Sequence, residues 1–131
     1  MKRTPVNPWP WSLQFGYNQA ELLDGVGRQL ICAGQTAVDG DGNPQHSDDM
    51  RAQLSLALDN LEALLAGADM SLANVVRFNV YTTDVDAAMQ HFDVLGTRFG
   101  PHAVAPPMTL LGVSRLAIPS LLIELEATAM N

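Results

Sequence analysis

Sulfur chemistry, positive charge and long apolar runs are all scarce in this chain. Among 131 residues there is one cysteine, Cys32. That excludes an intramolecular disulfide and a cysteine-built zinc site. Lysine occurs once, at Lys2, and the arginines are spread singly, among them Arg28, Arg51, Arg77, Arg98 and Arg115. Seven basic residues face 14 acidic ones, for a formal charge of −7. Such a surface repels phosphate backbones, so no nucleic-acid partner is expected. No apolar run follows Met1-Lys2-Arg3-Thr4-Pro5. The expectation is a cytoplasmic protein in a reducing compartment, with no membrane partner. There is no G-x-S-x-G elbow, no phosphate-cradling glycine loop and no H-E-x-x-H pair. His46, His91 and His102 stand alone, without a second ligand at metal spacing. Neither a metal nor a cofactor is expected.

What is present suits a packed core. Apolar residues make up 47% and charged residues 16%. The length, residues 1–131, is that of a single domain. Asn7-Pro8-Trp9-Pro10-Trp11 reads as an extended, proline-fixed lead-in. Residues 14–23 read as a strand, Asp24-Gly25-Val26-Gly27 as a turn, and residues 28–33 as the returning strand of a hairpin. Residues 34–38 continue extended, and residues 39–44 form a turn-rich loop. Ser47, Asp48 and Asp49 offer cap chemistry for a helix to about Ala66, closed by Gly67. Its face is Met50, Leu54, Ala57, Leu58, Leu61, Leu64 and Leu65, at helical spacing. Residues 75–82 alternate as a strand, Val76, Phe78 and Val80 against Arg77, Asn79 and Tyr81. A second helix opens at Asp84 and runs through Val85, Met89, Phe92, Leu95 and Phe99 to a stop at Gly100-Pro101. Strands at 108–116 and 121–129 close the chain. Each helix is apolar along one stripe, so both can cover one face of a single sheet. The other face is left half-apolar, which marks a surface for self-association or a plainly solvated sheet face.

Few residues stand out for chemistry. Cys32 lies in an apolar strand, the setting of an inert buried thiol. Trp9 and Trp11 can anchor the N-terminal arm or pack in the core. Glu124 and Glu126 alternate on a strand whose opposite face is apolar, so both carboxylates project to one side. There they either orient a water as general base or are simply solvated.

Five blocks carry a resemblance. They are Gly16-Tyr17-Asn18-Gln19-Ala20, Leu30-Ile31-Cys32-Ala33-Gly34-Gln35, Asn60-Leu61-Glu62-Ala63-Leu64-Leu65, residues 75–84, and Ile123-Glu124-Leu125-Glu126-Ala127. In this order and spacing the chain resembles the RidA/YjgF family nearly end to end. The resemblance implies an α+β, chorismate-mutase-like subunit: a mixed sheet with two helices on one face. It also implies a homotrimer, with a central barrel of three sheets and a small-molecule ligand in each inter-subunit cleft. It further implies hydrolysis of enamine and imine acids to 2-keto acids and ammonia, as by a 2-iminobutanoate/2-iminopropanoate deaminase, without metal or cofactor. Glu124 matches the family's water-positioning glutamate, Tyr17 its pocket tyrosine, and Gly34 the glycine of its S-G-Q. Other pocket positions depart from the pattern. Met108 stands where an arginine grips the substrate carboxylate, Ala33 replaces a serine and Leu110 a cysteine. Asp93 falls where asparagine is frequent. A guanidinium fork gives a carboxylate two charge-assisted hydrogen bonds of about 1.5–3 kcal/mol each, and methionine gives none. The expectation is therefore a hydrolase of altered specificity, or a trimeric protein that binds a small molecule in an apolar pocket without turnover. Arg115 is a poor substitute, being placed on the face opposite Met108.

Overall fold

Apolar side chains at alternate positions on two long strands set the centre of the fold. In the computed structural model, which describes residues 1–131, the order is β1 (Lys2–Val6), β2 (Ala20–Asp24), β3 (Gln29–Ile31), α1 (Met50–Gly67), β4 (Val75–Thr82), α2 (Val85–Gln90), α3 (Asp93–Phe99), β5 (Met108–Gly112) and β6 (Ile123–Met130). The main sheet has the order β3-β6-β4-β5. It is mixed, because β4 and β5 run parallel while the other pairs are antiparallel. A parallel pair needs a crossover, and α2 and α3 supply it.

On β6 the residues Ile123, Leu125, Ala127 and Ala129 are all buried. They meet Phe78 and Val80 of β4, the α1 stripe Leu54, Leu58, Leu61 and Leu65, and Val94, Leu95 and Phe99 of α3. All the helices thus cover one face. Phe78 and Phe99 pack edge to face with centroids 5.3 Å apart. The alternation on β4 breaks once. Val75 pairs with Ala129 and Arg77 with Thr128, so Val76 is the extra residue of a β-bulge. The bulge lets both Val75 and Val76 be buried.

Several sequence expectations change. Residues 14–23 are not one strand. Pro10–Phe15 form a 3-10 helix, with proline pre-set at its start and Gly16 in the left-handed region at φ 81° ending it. The proposed hairpin does not form either. β2 pairs with β1, and β3 pairs with β6. The turn at residues 24–27, with Gly25 at φ 68°, carries the chain from the small sheet to the large one. The second helix is two pieces. The N–H groups of His91 and Phe92 donate only tight-turn bonds, to Ala88 O and Met89 O, between α2 and α3. Asp49 caps α1 by accepting from Ala52 N–H. Gly67 is its last residue, and the left-handed turn falls on Asp69 at φ 56°. There Asp69 N–H donates to Ala66 O and Met70 N–H to Leu65 O, a Schellman closure.

The small β1–β2 sheet is fixed by polar groups, not by apolar burial. Arg3 donates to Glu21 and to the carbonyls of Ala73 and Val75, both 2.8 Å away. Glu21 in turn accepts from Asn18, which accepts from Asn7. This chain of bonds ties the N-terminal arm to the start of β4.

Candidate functional site

The register of the main sheet sorts the site residues onto its two faces. Glu124 on β6 lies opposite Tyr81, which lies opposite Leu111 on β5. Directly paired residues point to the same face. Phe78, Met108 and Ala127 form the corresponding triple on the other side, and Phe78 and Ala127 are in the core. Glu124 therefore points away from the helices, and Met108 points toward them.

The Glu124 half is shaped by a second bulge. Ile31 pairs with Thr128 and Gln35 with Leu125. Three residues on one side thus oppose two on the other, and Ala33 and Gly34 fall in the irregularity. Gly34 passes directly beside the Glu124 side chain. A Cβ on Gly34 would overlap the carboxylate oxygen Oε1 and stand 2.7 Å from Cδ. Only a residue without a side chain leaves the carboxylate its place. Glu124 is half-buried and has no hydrogen-bond or ion-pair partner within the subunit. Glu126 differs. It accepts from Asn79 Nδ2 at 3.0 Å and Tyr81 OH at 3.4 Å. Of the two alternating carboxylates, one is tied down and one is free to act on a water.

The other half lies on the helix side, under the N-terminal arm. Two adjoining cavities of about 520 and 360 Å³ share Phe15, Met89, Phe92 and Met108. Tyr17, Trp11 and Leu110 complete the walls of the smaller one. Tyr17 and Trp11 meet edge to face with centroids 6.2 Å apart. The 3-10 helix brings Trp11 and Phe15 here, and Gly16 turns the chain so that Tyr17 follows them. Tyr17, Met108 and Leu110 are thus brought together, as are Glu124 and Gly34. The two groups stand on opposite faces of the sheet.

Asp93 joins neither. It projects to solvent at the start of α3 and accepts two hydrogen bonds from Arg51, at 2.9 and 2.8 Å. The Arg51 guanidinium holds its carboxyl below the ordinary range. Ala33 is exposed beside Gly34. Arg115 bonds the carbonyls of Leu116 and Ala117 and reaches neither half-site. Burial pushes the Cys32 thiol up, which keeps it protonated and unreactive. No three His, Cys, Asp or Glu side chains stand close enough to hold a metal ion. No helix is long and apolar enough to cross a membrane.

Sequence reasoning missed Phe15, Met89, Phe92 and the pocket role of Trp11. Phe92 and Met89 were assigned to the core stripe of a single helix, and the break at His91 is what turns them into a wall. The one available signal was the aromatic density of residues 9–17.

Comparison with known proteins identifies the family. Residues 13–131 match the model of the family described as Endoribonuclease L-PSP. The mitochondrial protein mmf2 of Schizosaccharomyces pombe is 34% identical over 87 residues, covering 66% of this chain and 64% of mmf2. The crystal structure of YyfB of Yersinia pestis, of the conserved Rid protein family, superposes with a TM-score of 0.85 at 33% identity, covering 100% of both chains. A Mycobacterium tuberculosis member of the YjgF/YER057c/UK114 family gives a TM-score of 0.67 at 30% identity, covering 99% of this chain and 100% of the other. With the family model matched over residues 13–131 and the fold shared with these relatives, the chain belongs to the Endoribonuclease L-PSP family, that of the Rid and YjgF proteins.

Proposed function

We propose that the chain is a Rid-type hydrolase of reactive enamine or imine intermediates, with specificity altered at Met108. The observation that carries this is the unpartnered Glu124 carboxylate seated against Gly34. In this reading Glu124 takes a proton from water as the water oxygen adds to the C=N carbon. The former imine nitrogen takes up a proton from solvent to give the carbinolamine, Glu124 returns its proton to that nitrogen, and as the C–N bond breaks the hydroxyl proton passes to solvent, leaving the carbonyl and ammonia. The products are a carbonyl compound and ammonia, and no redox partner is needed.

The opposed half-sites support a homotrimer with the ligand between subunits. A second copy is needed to bring a Glu124 face against a Met108 face. Ile31 is 75% and Leu111 49% exposed on the Glu124 face, apolar area that association would cover. Sedimentation equilibrium should return three times the 14.1 kDa subunit mass. A monomer that is nonetheless active would sink the shared-site arrangement. The reaction is tested by ammonia release from an imine generated in situ, which Glu124→Gln should abolish. Inertness toward a panel of neutral and acidic imines would refute it.

A second reading is a trimeric protein that binds a small apolar metabolite without turnover. It is favoured by the replacement of the carboxylate-gripping position by Met108. It expects ligand-dependent thermal stabilisation with no ammonia released. Ribonuclease activity has little support. Arg3, Arg51 and Arg98 are paired with carboxylates, and the remaining Lys2, Arg28, Arg77 and Arg115 are set in a chain of net charge −7. Little positive charge is left to hold a phosphate backbone.

A further inference from the structure

We infer that the substrate carries a bulky uncharged ring, and that Phe92, Phe15 and Trp11 with Met89 and Met108 form the subsite that selects it. The inference rests on the hydrolase reading for the reaction, but on the cavity walls alone for the ligand class.

Size is the first argument. The cavities of about 520 and 360 Å³ adjoin through shared walls. Each falls within the range of about 300–1,000 Å³ that takes drug-sized ligands. A short 2-imino acid would leave most of this space to water lying against apolar surface.

Lining chemistry is the second. Within the subunit, Gln14 is the one polar side chain around the larger cavity, and the Tyr17 hydroxyl and the Trp11 indole N–H are the two polar side-chain groups around the smaller one. No charged side chain lines either. A carboxylate moved in would lose its hydration without gaining a partner. A ring the size of a phenylalanine side chain buries about 150–250 Å² and loses nothing polar. The thioethers of Met89 and Met108 are adaptable and suit contact with a ring edge. Gln14, the Tyr17 hydroxyl and the Trp11 N–H remain to orient a neutral polar group.

Preformed openness is the third. Trp11 is 52% exposed, Phe15 61% and Met89 54%, while the floor residues Phe78, Leu95 and Phe99 are buried. The subunit thus presents a firm apolar floor with open aromatic walls.

The test is isothermal titration calorimetry of the unmodified protein with phenylacetamide and with 2-oxobutanoate. Phenylacetamide should bind about tenfold tighter or more. In a Trp9→Phe variant, where Trp11 is the only indole, it should change the fluorescence saturably. Met108→Arg should reverse the order of the two probes. Equal or reversed affinities in the unmodified protein would overturn the inference. So would the absence of saturable phenylacetamide binding, which would leave the groove to a side chain of the neighbouring subunit. Turnover separates this from the hydrolase reading. D-amino-acid oxidase generates the imines of phenylalanine and alanine in situ. If neither is hydrolysed while phenylacetamide binds, the reaction falls and the ligand class stands. If the alanine imine is hydrolysed faster, the ligand class falls and the reaction stands.

Discussion

Replacing Gly34 by alanine probes the site without touching its carboxylate. The backbone at Gly34 is not left-handed, so alanine is tolerated there conformationally. The new Cβ would stand 2.7 Å from Glu124 Cδ, whereas ordinary contact begins at 3.4 Å. The carboxyl carbon must therefore retreat by about 0.7 Å, the difference between the two distances, and Oε1 must move farther. Glu124 is a flexible side chain, so the protein can absorb this. A torsion forced about 30° off its well costs about 0.5–1.5 kcal/mol. The lower entropy of unfolded alanine returns about 0.4–1 kcal/mol. Net stability should change by less than about 1 kcal/mol, a shift of a few degrees in Tm.

Activity should respond far more. A misplacement of about 1 Å can cost about 10²-fold. We expect kcat for ammonia release to fall about 100-fold in Gly34→Ala, with far-UV circular dichroism and Tm nearly unchanged. Glu124→Gln should fall at least as far, since general-base catalysis contributes about 10²–10⁴-fold. The double variant is the sharper measurement. Both changes remove the same interaction, so their losses should not multiply. Gly34→Ala activity within twofold of the unmodified protein, beside an inactive Glu124→Gln, would show that the contact does not set the carboxylate's position. Fully multiplicative losses would refute the same reasoning.

Glu21→Leu should cost about 1.5–3 kcal/mol in urea unfolding, because it removes the charged partner of the part-buried Arg3 guanidinium and leaves it only the carbonyls of Ala73 and Val75; a loss under about 1 kcal/mol would mean that the β1–β2 arm contributes little. Asp69→Gly should raise Tm, by up to about 1 kcal/mol of stability, since glycine adopts the left-handed Schellman position without strain; an unchanged or lowered Tm would count against that account. The backbone N–H groups of Asn43 and Asp41 hold the Asp39 carboxyl below its ordinary 3.8. Its folded pKa is lowered, so its contribution is present above that ordinary value and is lost as the pH falls through the folded one. The Tm difference between the unmodified protein and Asp39→Asn should shrink as the pH drops from about 5 to below 3.8, and a constant difference would reject the assignment.

The parts of the fold legible in the sequence were those with a strong period. α1 was readable because Leu54, Leu58, Leu61 and Leu65 recur at helical spacing, and β4 and β6 because their buried residues alternate. Partnership was not legible. Nothing local tells β2 to pair with β1 and not β3, because that choice is made by Arg3 reaching Glu21 and two carbonyls across the chain. Gln53 escaped notice for the same reason. It is a polar residue inside the α1 stripe, fully buried, donating to His46 O and accepting from Leu122 N–H. The break between α2 and α3 was invisible because Phe92 fits the stripe of one continuous helix as well as it fits a pocket wall. In the site, alternation alone does not separate Glu124 from Glu126; the family resemblance points to Glu124. The bonds from Asn79 and Tyr81 make the same distinction.

Separation of the two half-sites has a further consequence. In the proposed reaction, water positioning rests on a bulge, a glycine and a carboxylate on one sheet face, and ligand selection on Met108, Tyr17 and the aromatic arm on the other. Within a subunit they share no side chain, so a change in one leaves the local packing of the other undisturbed. The loss of the guanidinium at Met108 is thus no evidence against a working Glu124. Under the hydrolase proposal it would change which molecule is presented to the carboxylate while leaving the carboxylate's contact with Gly34 intact. The fold is carried from the family to this chain directly, and within the hydrolase proposal water positioning rests on residues that match the family pattern while substrate identity rests on residues that do not.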